Sequence, residues 1–185
     1  VRRAGFSSYV TEHLLTWDLR GVAREGAPAP PPGLRPRQAR DEYPLFRLYG
    51  LAAPMPVRLA EGLTLQQWQE SMAVRWGAGH PNADLVVERE GEVVAWLRTA
   101  ARRSAGALSL LLHPEAASLF SALLHLGLQR LEGRPRAFIL LPEHQSQLLN
   151  PLAEMGFEKV AEYVSFVREA ATRVESPGLV PAQVM

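Results

Sequence analysis

Cysteine is missing altogether from this 185-residue chain. That excludes a disulfide framework, a thiolate nucleophile and a cysteine-ligated zinc site. Lysine is nearly missing: Lys159 is the only one, so the positive charge is almost all arginine, and the formal net charge is only +1. Such a balance gives no general pull toward nucleic acid or an anionic membrane. No apolar run is long enough to span a bilayer. The opening VRRAGFSSYV has no apolar core of the signal-peptide kind, so the expected location is the cytoplasm. That opening also reads as the middle of folded sequence, which suggests a piece of a longer chain.

What is present is ordinary for a globular domain: 47% hydrophobic and 21% charged residues. Residues 1–19 are β-rich, with Tyr9, Val10, Thr11, Leu14, Leu15, Thr16 and Trp17 close together, and read as a strand or hairpin. Residues 20–33, RGVAREGAPAPPPG, hold too much Pro, Gly and Ala to build a core and read as a linker. Residues 34–172 read as one domain, and 173–185, with Pro177, Gly178 and Pro181, as an irregular tail.

Within the domain, LRPRQA reads as a short strand. Asp41 is placed to cap a helix with Leu45, Phe46, Leu48 and Tyr49 on its apolar face. Pro54 and Pro56 mark LAAPMPVRLAEG as a connection. Thr64 and Gln67 have capping-box spacing ahead of a helix carrying Leu65, Trp68 and Met72. Residues 76–83 read as a loop. Leu85–Glu88 and Val93–Arg98 form a hairpin around Gly91, and Ala107–Leu112 is a third strand. A helix spanning Ala116–Leu131 repeats leucines at three-and-four spacing. Arg136–Leu141 is a continuous apolar strand of the kind buried on both faces. The helix after it contains Pro151, which should shorten or kink it. Gly156 ends that helix before a β segment over Phe157–Val167.

This element order resembles that of the GNAT N-acetyltransferases. GEVVAWLR with ALSLLLHPEA is similar to the family's third and fourth strands, and PRAFILLPEHQSQLLNPLAEMGFEKVAEYVSFVRE to its fifth strand, fourth helix and final strands. The marker is EMGFEKV, a helix ending in Gly-Phe before a β run. The resemblance implies an α/β (mixed α+β) fold: a central mixed, mostly antiparallel sheet with helices on both faces. RAGFSSYVTEHLLTWDL also resembles EMGFEKVAEYVSFVREA, with Gly5-Phe6 matching Gly156-Phe157 and Glu12 matching Glu162. Residues 1–19 are therefore expected to be the tail of a preceding GNAT-like domain, able to pair with an edge strand.

By the same resemblance, acetyl-CoA would sit where the fourth and fifth strands splay, held at Leu110, Leu111, Leu112, Ala116, Ala117, Ser118 and Leu119. The family holds the pyrophosphate on a glycine-containing loop at a helix start. Here that segment is HPEAASLFSALL, which has neither glycine nor arginine and carries Glu115. The family's proton donor is often a tyrosine shortly before Gly-Phe; the matching position, about Leu152, has no proton to give. The candidate bases are Glu88, Glu90 and His113. His113 and Glu115 have ligand-like spacing but no third ligand, so no metal is expected. Trp68, Trp76 and Trp96 are packing residues that could also line an acceptor groove. Two functions stand side by side. One is an acyl-CoA-dependent N-acyltransferase acting on a small amine or peptide. The other is a non-catalytic GNAT-like domain that stabilises or regulates a partner, either the upstream domain or a second copy.

Overall fold

The computed structural model describes residues 5–20, 28–76, 81–101 and 104–168. Seven strands form one sheet: β1 (Phe6–Asp18), β2 (Leu34–Pro36), β3 (Ala83–Arg89), β4 (Glu92–Ala101), β5 (Gly106–Leu112), β6 (Arg136–Pro142) and β7 (Glu158–Arg168). Their spatial order is β2-β3-β4-β5-β6-β1-β7. Every neighbouring pair is antiparallel except β5 and β6. Helices α1 (Glu42–Ala52), α2 (Met55–Glu61) and α3 (Leu65–Trp76) lie toward one face, and α4 (Phe120–Arg130) and α5 (Leu149–Glu154) toward the other. The mixed, mostly antiparallel sheet with helices on both faces is the architecture expected. No helix among the described residues is long and apolar enough to cross a membrane.

The amino-terminal segment is one 13-residue strand, not a hairpin. It lies inside the sheet, paired with β7 over Phe6–Thr16 and with β6 over Glu12–Asp18. Alternation divides its side chains. Leu15 enters the core beneath α4, and Trp17 packs on Phe157 with ring centroids 5.5 Å apart. Glu12 and Leu14 point to the other face, where they line a cavity. Gly156 (φ 103°) passes so close to Trp17 that a β-carbon there would lie 2.7 Å from the indole nitrogen. The Gly-Phe junction thus has a packing reason as well as a backbone one.

Several local readings change. LAAPMPVRLAEG is not only a connection, because Met55–Glu61 is helical. Pro54 stands at its N-cap and Pro56 in its first turn, where a missing N–H costs nothing, and Gly62 closes it in the left-handed region. Asp41 does not cap α1. Its carboxylate receives both terminal nitrogens of Arg35 at 2.7 Å and the Gln38 N–H at 2.7 Å. The capping box of Thr64 and Gln67 is formed: the Thr64 N–H donates to Gln67 Oε1 (2.9 Å) and the Gln67 N–H to Thr64 Oγ1 (3.3 Å). The helix expected over Ala116–Leu131 begins later, because Pro114–Leu119 is a 3₁₀ turn. The helix holding Pro151 is shortened as expected, again behind a 3₁₀ turn, Glu143–Leu148. β6 is buried on one face only; Phe138 and Leu140 face the cavity. Part of the expected 76–83 loop, half of the linker (21–27) and the expected tail lie outside the described residues, as do Arg102 and Arg103.

Two apolar clusters flank the sheet. Beneath α4, Leu123, Leu124 and Leu128 pack with Leu97, Leu108, Ile139 and Leu15. Gly127 lets that helix approach, since a β-carbon would stand 2.3 Å from Leu108 Cδ2. On the opposite face, Leu45 and Leu48 of α1 pack with Trp68, Val86 and Trp96.

Candidate functional site

β5 and β6 are paired only at their starts, through Gly106–Ala137, Ala107–Phe138 and Leu108–Ile139. Beyond Leu108 and Ile139 they separate, and β6 stays bonded to β1 instead. Parallel strands that part at their carboxyl ends leave a crevice, the usual ligand position of an open α/β sheet. Here the crevice opens into a cavity of about 660 Å³ on the face of α1, α2 and α3. That volume suits a small molecule. Leu119 and Phe120 do not fill it, because both are buried in the core on the α4 side.

The walls are mainly apolar: Trp68, Trp96, Met72, Leu63, Phe138 and Leu140 all line the cavity. The aromatic wall is built by tilted ring contacts. Trp68 lies 5.9 Å from Trp96, 5.9 Å from Phe46 and 6.2 Å from Tyr49, centroid to centroid. Its indole N–H is buried and has no acceptor. Trp96 spends its own N–H on Asp84 (2.6 Å). Both tryptophans therefore pack and line the cavity together, while the side chain of Trp76 lies outside what is described.

Polar side chains reach the same space, among them Glu12 from β1, Tyr49 from α1, Glu61 from the end of α2 and His144 just after β6, with Tyr9, Ser71, Ser109 and Gln145 also in the lining. The Tyr49 hydroxyl donates to Glu61 Oε2. Burial, reinforced by that carboxylate, pushes the phenol upward from its ordinary value, so it stays protonated. Glu12 is buried although it is charged by nature. Burial pulls His144 below the ordinary histidine value, against the opposing influence of Glu61 and Glu12. Its imidazole is therefore neutral at pH 7, and its Nδ1 is buried with no hydrogen-bond partner. A neutral imidazole beside carboxylates can accept a proton.

The catalytic and cofactor positions chosen from sequence fall elsewhere, with two exceptions. Leu110 and Leu111 line the cavity, and Leu112 lies at the end of β5 beside them. Ala116 and Leu119 are turned into the α4-side core, while Ala117 and Ser118 are exposed. His113 caps the 3₁₀ turn: its Nδ1 accepts the Glu115 N–H at 3.2 Å, and its carbonyl accepts the Ala116 N–H at 2.8 Å. Glu88 lies on β3, away from the cavity, and receives Arg35 Nε (2.9 Å) and Nη2 (2.6 Å). It fastens β2 through Arg35 to Asp41. Glu90 occupies the hairpin turn with φ of 52°. No group of three or more metal-ligating side chains occurs among the described residues.

Sequence reasoning missed Glu12, Tyr49, Glu61 and His144. Glu61 sits on a helix that two prolines disguise. Glu12 meets the site only because β1 enters the sheet beside β6, a long-range pairing. His144 did carry a signal, since it follows a strand-ending proline much as His113 precedes one.

No family model matches the chain, and no curated protein matches it either. Solved structures do. A conserved protein of unknown function from Staphylococcus epidermidis aligns over 92% of this chain and 65% of its own, with 9% identity and a TM-score of 0.61. A putative GNAT-family acetyltransferase from Novosphingobium aromaticivorans aligns over 90% and 69%, with 16% identity and a TM-score of 0.53. A tandem GNAT protein from the clavulanic acid biosynthesis pathway aligns over 91% and 56%, with 17% identity and a TM-score of 0.57. The chain thus spans between about half and about two thirds of these proteins' length.

Proposed function

Given a chain that carries the GNAT fold, we propose that it is the acyl-transfer domain of an acyl-CoA-dependent N-acyltransferase, with the amine acceptor in the cavity. One observation carries this reading: the strands part at the place where the fold takes a thioester, and the crevice opens onto a neutral imidazole and two carboxylates. The acyl donor would lie along Leu110, Leu111 and Leu112 toward Ala116, Ala117, Ser118 and Leu119. Glu12 and Glu61 draw an ammonium group in, and His144 takes one proton from it. The freed nitrogen attacks the thioester carbonyl, so a C–N bond forms and the C–S bond breaks. The nitrogen's second surplus proton ends on the departing sulfur. Water is kept back by Trp68, Trp96 and Phe138.

A second reading is favoured by the turn after β5. It has no glycine, and His113 and the 3₁₀ bonds already occupy N–H groups that would otherwise meet a pyrophosphate. On that reading the domain is non-catalytic and supports a partner. In both readings β1 is the tail of a preceding GNAT-like domain, supported by its repeat relation to β7 and its place between β6 and β7.

Thermal melting with millimolar acetyl-CoA separates the two. Saturation to about a hundred times the dissociation constant adds about 2.7 kcal/mol, a rise of roughly 5–10 °C for a chain of this size. An unchanged melting temperature sinks the transferase reading and leaves the supporting one.

A further inference from the structure

We infer that the cavity selects an organic amine with a bulky apolar body, and not a hydrophilic polyamine or a hydrophilic peptide end. The inference rests on the acceptor reading above and gives it a chemical class. The cavity pairs carboxylates with a mainly apolar wall. The carboxylates come from two separate elements, Glu12 on β1 and Glu61 on α2. Trp68, Trp96, Met72, Phe138 and Leu140 supply much of the remaining wall, with no lysine or arginine among the lining residues.

Each part constrains the ligand. A cation is favoured by carboxylates in a half-dry site, and the aromatic faces of Tyr49 and Trp68 add cation–π attraction. One of the two carboxylates already accepts the Tyr49 hydroxyl, which stabilises its charge in place. A hydrophilic chain would be stripped of water against tryptophan and leucine with nothing to replace it. An apolar body gains instead by leaving water.

Isothermal titration of the whole chain without acetyl-CoA tests this. The probes are 4-phenylbutylamine, its neutral counterpart 4-phenylbutanol, and spermidine. The amine is expected to bind at least tenfold more tightly than the alcohol and at least tenfold more tightly than spermidine. Glu12→Gln with Glu61→Gln should erase the preference for amine over alcohol, with circular dichroism checking the fold. If that pair does not fold, the comparison among the three probes on the unaltered chain decides alone. Equal binding of amine and alcohol, tighter binding of spermidine, or no binding of the amine at millimolar concentration would each overturn the inference. Because acetyl-CoA is absent, the result is independent of the melting experiment. Amine binding without an acetyl-CoA shift sinks the transferase reading alone, and the reverse pattern sinks this one alone.

Discussion

The two faces of the sheet are made from the same strands and have opposite character. Under α4 the face is dry and closed: Leu97, Leu108, Leu123, Leu124 and Ile139 interlock, and even a β-carbon on Gly127 has no room. Under α1, α2 and α3 the face is hollow, and polar groups with unmet hydrogen-bonding capacity remain in its walls. Period-two alternation lets neighbours such as Leu14 and Leu15, or Leu140 and Leu141, serve opposite purposes. Stability is concentrated on one side and binding capacity on the other.

The strongest way to break this contrast is to remove the strand that supplies both faces. Deleting residues 1–18 strips β6 and β7 of their shared partner, uncovers Phe157 and takes Glu12 from the cavity. The shortened chain is expected to lose cooperative unfolding and to aggregate through the opened strand edges. A cooperative melt near that of the full chain would show that β1 is an accessory.

A milder comparison uses one chemical change on each side. Leu123→Ala removes a fully buried side chain beneath α4 and should cost about 2–5 kcal/mol. Leu140→Ala removes a side chain that already borders empty space, and should cost about 1 kcal/mol or less. Urea midpoints at constant m-value measure both. Equal losses would mean that the hollow face bears as much of the packing as the closed one.

The contrast also explains what could be read in advance. The α4 face was legible because leucine spacing in residues 119–131 and the apolar strands Ala107–Leu112 and Arg136–Leu141 are local signals. The hairpin was legible for the same reason: Glu90 and Gly91 both take positive φ, as a tight turn requires. The cavity was not, because its polar groups lie on separate elements: Glu12 and His144 meet through the β1–β6 register, which pairs Glu12 with Pro142, two residues before His144, and Tyr49 meets Glu61 from another helix. Residues taken as chemical from local spacing proved to be fasteners: Glu88 binds Arg35, and His113 caps a turn. A carboxylate near a turn can be held by an arginine, and sequence does not show this when the arginine is 53 positions away.

The smallest expected effect lies in His144, and it reads the hollow face directly. Burial holds this imidazole below its ordinary value in the folded chain, whereas in the unfolded chain it titrates near 6.5. Above about pH 6.5 both states carry it neutral, so it adds no pH dependence. Below that value the unfolded chain takes up the proton first, so the unfolded state gains and stability falls as the pH drops. His144→Gln removes this difference. The fall in melting temperature between pH 8 and pH 5 should therefore be smaller in the variant than in the unaltered chain. If His144→Gln loses as much as the unaltered chain, the imidazole already has a proton or a partner in the folded state. The neutral base that distinguishes the hollow face from the closed one would then be absent.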